Sequence, residues 1–264
     1  MNSNKIVSFF LTAIFSGLIL SFHAQIQTKL PCIDKRFSVV AHVVKDSLGN
    51  TSISDQVIKD NVNSLNAVFA KICISFEVCD IRYIDNFRYN KLYSNKGHWA
   101  HLQQEYNQQN VINIYYVDSI IDPLDAAGFA GLGAICNLQS NGIVLTKYSS
   151  FGSRVISHEM GHYFGLIHTF ENSSIKEELV NGSNCKTSGD LICDTPADPY
   201  ENVFEYLVDG NCKFISTKRD NNNQFYDPIV GNIMSYYSSK CNCGFTHDQY
   251  MRMANTYFTN PKMW

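Results

Sequence analysis

Apolar positions along the chain gather into a few dense runs set between polar stretches, and their spacing predicts the elements. FSVVAHVV at 37–44 is β-branched and apolar and reads as the first strand. SDQVIKDNVNSLNAVFAKI follows, with Ser54 placed to cap a helix and Val57, Val62, Leu65, Val68 and Phe69 near helical spacing. CISFEVCDIRYI returns to strand character, and VINIYYVDSI at 111–120 is another dense strand. GFAGLGAICN reads as a glycine-rich loop leading into a strand in NGIVLTKYSS, ahead of a helix that Gly165 ends. From Asn172 to Asp227 the chain is rich in Asn, Asp, Ser and Gly with little periodicity, a length of irregular chain that needs bridges or ions to stay ordered. FTHDQYMRMANTYF predicts a last helix packed behind the preceding elements. This is an α+β pattern, with β and α elements first and long polar loops afterwards.

The first residues change the picture of where the chain goes. One Lys precedes an apolar run from Ile6 to Phe22, the layout of a secretory signal peptide cleaved after Ala24. Phe22 is larger than the residue preferred three positions before a cleavage site, which keeps an uncleaved membrane anchor as the alternative. Residues 25–36 then form a short N-terminal segment, a candidate pro-segment, and 37–264 one domain. With 21 basic and 24 acidic side chains and no basic run, nucleic acid is not an expected partner. Nine cysteines in an exported chain argue for disulfides, and the odd number leaves one free or paired outside the chain. Cys73 and Cys79 flank ISFEV and form a local bridge if that segment bends.

Residues 158–168, HEMGHYFGLIH, carry the chemistry. On a helix, His158 and His162 lie about 40° apart on one face, close enough for both rings to reach one ion. Glu159 then stands beside that ion, where a base takes a proton from a zinc-activated water. Gly165 tolerates positive φ, so the chain turns there and brings His168 back as a third ligand, leaving a fourth position open. A bare HExxH arises by chance on half-buried helix faces, but five fixed positions are harder to account for that way. His42, His98, His101 and His247 lack such context and are expected to be structural.

The long motif together with NIMSYY at 232–237 resembles the metzincin zinc proteases. That resemblance implies that Met234 forms an apolar floor beneath the metal and that Tyr236 hydrogen-bonds the developing oxyanion. HEMGHYFGLIHTF, NCKTSGDLICDTPADP and GNIMSYYSSKCNCGFTHDQYMRM resemble, in order, the blocks of pappalysin-type metzincins, also called cytophagalysins. Such a protein is a secreted zinc endopeptidase with a twisted mixed sheet and zinc helix in an upper subdomain, here to about residue 168. An irregular, disulfide-bridged lower subdomain would run from about 169 to 264. The resemblance implies a Cys185–Cys212 bridge and a partner such as Cys193 for Cys241. It also implies structural calcium on Asp190, Asp194 and Thr195, since members bind calcium in this loop region with hard oxygen ligands.

Two departures bear on specificity and activation. Members that cleave before Arg have an Asp several residues beyond the Met-turn, where this chain has Tyr237, Ser238, Ser239 and Lys240. Acidic or neutral P1′ residues are expected in place of Arg, with Lys240 in the specificity role. Cys32 lies in the short N-terminal segment, where its thiolate either holds the zinc in a latent enzyme, bridges a core cysteine, or stays free. Substrates are expected to be proteins or peptides paired in extended form along an edge strand near Gly142 to Thr146. A monomer without membrane attachment once the signal is removed completes the expectation. The rival is an adhesin or binding module that has kept the fold and lost turnover; an intracellular hydrolase of another zinc class conflicts with the signal and the cysteines.

Overall fold

The computed structural model describes residues 28–93, 96–121, 128–130, 142–148, 153–171, 176–199, 207–241 and 243–260. The expected signal segment, Cys136 and the rest of 131–141 lie outside them. Among the described residues no helix is long and apolar enough to cross a membrane.

Five strands form the main sheet: β1 (Lys35–Val44), β2 (Ile74–Ile84), β4 (Ile112–Val117), β6 (Gly128–Ala130) and β7 (Ile143–Thr146), in the order β2-β1-β4-β7-β6. All neighbours are parallel except β6, which runs antiparallel to β7. The sheet is therefore mixed, and β3 (Lys91–Tyr93) pairs with β5 (Ser119–Ile121) separately. The strand expected to offer an edge, 143–146, is instead interior, and β6 is outermost among the described residues. Its sequence carries the physical reason. Ile143, Val144 and Leu145 are consecutive and all buried, as a parallel strand covered on both faces requires, whereas an edge with one wet face alternates.

Alternate residues feed two cores. Phe37, Val39, Ala41, Ile112, Ile114, Ile143 and Leu145 point to the face covered by α1 (Asp55–Phe69) and α3 (Ser153–Tyr163). Tyr115, Val117 and Val144 point the other way, against Leu102 of α2 (His98–Tyr106), with the Trp99 ring 5.4 Å from Tyr115. Helix α1 starts where expected, since Ser54 accepts the Val57 N–H, and it buries Ile58, Val62, Leu65 and Phe69. Each such side chain contributes about 1.5–3 kcal/mol by leaving water.

β2 carries a bulge. Val39 pairs with Val78 and Val40 with Asp80, so Cys79 is the extra residue, its thiol donating to the Val39 carbonyl. A Cys73–Cys79 bridge does not form, because six residues of strand hold the two roughly 20 Å apart. Cys73 bridges Cys32 instead, Cα atoms 4.9 Å apart. Cys32 is thereby a structural tie between the N-terminal segment and the sheet, and the latency expectation falls with it.

Among the described residues between α3 and α4 (His247–Phe258) there is no α-helix or named strand, and α4 begins with a capping box between Thr246 and Gln249. Isolated bridges join Val208 to Phe214 and Arg219 to Phe225, but turn-forming carboxylates do most of the ordering. Asp220 accepts the N–H groups of Val180, Asn222 and Gln224. Buried Asp198 accepts from Thr169, Ser235 and Tyr237. The disulfides here are Cys185–Cys193 and Cys212–Cys241, which corrects both expected pairings. Gly189 and Leu191 both take positive φ, folding the loop around buried Asp190 so that the Cα atoms of Cys185 and Cys193 close to 5.1 Å. That leaves Cys212 to meet Cys241. Cys79 and Cys243 are unpaired among the described residues.

Candidate metal centre and active site

Helix α3 buries Ile156, Met160 and Tyr163 in the core shared with α1 and turns His158, Glu159 and His162 toward the loops. It ends in a Schellman motif. Gly165, at φ 90°, donates to the His162 carbonyl, and Leu166 donates to the Gly161 carbonyl. A Cβ at Gly165 would stand 2.9 Å from Thr256 Oγ1 of α4, so the turn is also a close approach. This reversal brings His168 alongside the helix. His162 Nε2 lies 3.1 Å from His158 Nε2 and 3.1 Å from His168 Nε2.

Three imidazole nitrogens meeting at one point repel unless something positive joins them. Each opposite ring nitrogen is already committed: His158 Nδ1–H donates to the Ile233 carbonyl at 2.7 Å, and His162 Nδ1–H to the Leu166 carbonyl at 2.7 Å. His168 Nδ1–H donates to Glu171 at 3.0 Å. The Nε2 lone pairs therefore face one another. Burial holds His162 and His168 down near pKa 4 and His158 well below its usual value, so all three are neutral ligands at physiological pH. Tetrahedral zinc with bonds of about 2.0–2.1 Å sets nitrogens about 3.3 Å apart, so the donor set fits that ion.

Glu159 is 5% exposed, and its carboxylate accepts the Ala130 N–H from β6. Burial pushes its carboxyl up to about 8. A cation on the adjacent histidines would favour the ionised form.

The loop 232–236 passes under this group. Met234 is fully buried; its N–H donates to Asn232 Oδ1, and its carbonyl accepts from Thr169 N. A Cβ at Gly161 would stand 2.5 Å from Met234 Sδ, so α3 rests on the thioether only because position 161 is glycine. Arg154 clamps the loop by donating to the carbonyls of Asn232, Ser235 and Ser238. The Tyr236 ring sits 4.7 Å from that of His168 and 5.4 Å from that of His158. Burial, then the charges of Glu159 and Glu171, raise its phenol to about 12, so it remains a proton donor at neutral pH. Beside it a cavity of about 340 Å³ is lined by Val208, Asp209, Ser238, Lys240 and the Cys212–Cys241 bridge.

The expected calcium residues divide. Asp190 is fully buried and Thr195 lies near it, but Asp194 is committed elsewhere, accepting from Thr246 Oγ1 and Asp248 N at the start of α4. Glu178, which the sequence did not single out, takes its place. Its carboxylate packs against Gly189, and burial with the nearby Asp190 and Asp198 pushes it up to about 8. Burial likewise raises Asp190 to about 7. Glu178 Oε2 and Thr195 Oγ1 lack a well-oriented hydrogen-bond partner among the described residues, although the Thr195 hydroxyl stands near enough to Asp190 to draw its carboxyl down. Only a residue reached across a loop closure supplies this second acid, so periodicity could not have found it. Of the other histidines, His42 stacks on Tyr115 at 4.4 Å, and His247 donates to Asp248 and to the Thr28 carbonyl, with Asp194 and Asp248 close enough for the three side chains to meet one ion.

Parts of this chain are similar to known proteins. The sequence model of the Reprolysin-like metallopeptidases, family M12B, matches residues 56–169. An extracellular metalloprotease of Colletotrichum graminicola is 27% identical over 227 residues, covering 80% of this chain and 72% of that protein. One from Aspergillus fumigatus is 31% identical over 118 residues, covering 45% of this chain and 31% of its own length. The solved structure of metalloproteinase-II from Bacteroides fragilis is 16% identical with a TM-score of 0.40 over 53% of this chain and 45% of that one, too distant to carry an argument. Residues 56–169, which include all three histidines of the centre, are thus similar to reprolysin-like metallopeptidases, and the likeness to extracellular metalloproteases supports a metal-dependent protease.

Proposed function

We propose that the protein is a secreted zinc endopeptidase of the pappalysin type. The carrying observation is the convergence of His158, His162 and His168 on one point, with the Glu159 carboxylate buried beside it. Zinc held there supplies a polarised scissile carbonyl and a water acidic enough to lose its proton near neutral pH. Glu159 takes that proton and later delivers it to the leaving amine. The Tyr236 phenol donates to the oxygen that gains charge, and Met234 keeps the floor beneath the histidines apolar. Strand β6 carries the substrate by main-chain pairing: it is outermost in the sheet among the described residues, and its Ala130 N–H already ties it to Glu159. Calcium on Glu178, Asp190 and Thr195 steadies the loop, an assignment supported by two neighbouring buried carboxyls, of which Asp190 alone has a cationic side chain, Arg252, close enough to act on it. The exported location rests on the N-terminal apolar run and the disulfides.

Lys240 at the cavity beside Tyr236 supports acidic or neutral P1′ residues, a cation there being repelled by its ammonium. The test is Glu159→Gln. Cleavage of a peptide library should fall by at least about 10²-fold while zinc stays stoichiometric, and wild-type products should lack Arg dominance at P1′. Undiminished turnover in the variant would overturn the mechanism. Stoichiometric zinc with no wild-type cleavage of any peptide pool would favour the binding-module reading.

A further inference from the structure

Two of the three histidines lean on backbone carbonyls, whereas the third leans on a charged side chain. His158 and His162 donate to Ile233 and Leu166, whose carbonyls come with the fold. His168 lies past the end of α3 on irregular chain and has no such support; its Nδ1–H goes to the Glu171 carboxylate at 3.0 Å. The stretch 168–171 is built for that contact. Glu171 N donates to the His168 carbonyl, closing a turn that folds the side chain back over the ring. Thr169 anchors the turn, its N–H donating to the Met234 carbonyl and its hydroxyl to buried Asp198. Phe170 stacks on His168 with centroids 4.9 Å apart and planes within 5°. Each of the three residues after His168 therefore fixes one aspect of it: chain position, ring plane and ring tautomer.

We infer that Glu171 is a positioning residue for the metal centre, holding His168 in the tautomer that aims its Nε2 at the shared point and making that nitrogen a stronger donor. This rests on the zinc reading above. A carboxylate accepting the ring N–H raises the electron density of the opposite nitrogen more than a carbonyl does, and such partners are worth about 10–100-fold in metal affinity. The ring and its partner are 21% and 41% exposed, so part of that charge is screened by solvent.

The test is zinc affinity of the full chain, measured by competition with a chromophoric chelator at fixed pH, for wild type, Glu171→Gln and Glu171→Ala. The expected result is about 10-fold or more weaker zinc binding in Glu171→Ala, with Glu171→Gln intermediate because its amide oxygen still accepts the N–H. Melting of the metal-free proteins should be unchanged, since Glu171 is not in the core. Affinities of the Ala variant within twofold of wild type would overturn the inference, as would a Gln variant no better than Ala. If the Ala variant melts early, the Gln variant alone decides: wild-type affinity in it removes the role of charge. A wild-type chain that binds no zinc fails the proposed function and is distinguishable from either result.

Discussion

The sheet half and the loop half of this molecule are held together by different means. Between Lys35 and Tyr163, parallel strands feed alternate side chains into two apolar cores, and burial does the ordering. Between Lys176 and Phe245 few side chains are deeply apolar; two disulfides, carboxylate-centred turns and buried acids hold the chain. The proposed active site lies at the seam, with His158, Glu159 and His162 from the first regime, Met234 and Tyr236 from the second, and His168 on the turn between them. Two of the three proposed ligands thus come from a packed helix, and the loops that complete the site meet that helix through buried Met234.

The comparison breaks first in the core. Leu65→Ala, at a fully buried position of α1, should cost about 2–5 kcal/mol and lower the single melting transition of the whole chain. A change of equal size at an exposed loop residue of the lower half should not, and thermal unfolding followed by circular dichroism checks both. Next comes the covalent tie: replacing Cys212 and Cys241 together by Ser should cost about 2–4 kcal/mol. Here hydrogen exchange should speed up around 207–241 and leave β1 and β4 protected. Equal loosening of both halves would mean that they are one cooperative unit.

A smaller and pH-dependent effect should separate the halves further. In chelator, Glu178 has a folded-state pKa of about 8 against an ordinary value of 4.5. The folded chain therefore holds a proton that the unfolded chain has lost, and stability falls as pH rises from about 4.5 to about 8. Asp190, raised to about 7, adds in the same direction. Calcium should abolish the decline, because the cation replaces the protons. Melting curves across this range with and without calcium measure it, and Glu178→Gln should flatten the slope.

These contrasts also explain what could be read from the chain alone. The zinc helix was legible because its chemistry is a short-range spacing, and Gly165 because a left-handed turn selects glycine. Helix α1 with its Ser54 cap was legible from periodicity. Disulfide partners were not, since they depend on how the loops cross: the positive φ at Gly189 and Leu191 closes Cys185 on Cys193, and no spacing rule announces that. Strand β6 has three residues within a glycine-rich stretch, too few for a period to register, so the edge was assigned to the strand beside it. Glu171 and Glu178 act through turns that put them against a histidine and a buried acid, and on an exposed stretch of sequence they look like ordinary surface carboxylates.

The central claim is that His158, His162 and His168 hold the zinc that makes this chain a peptidase. Its most direct measurement is metal content and peptide cleavage on one purified sample, before chelation, after chelation and after zinc is restored. The account predicts one zinc per chain, loss of cleavage with the metal, and recovery on its return, with His168→Ala losing both together. Cleavage that persists in the zinc-free protein would contradict it.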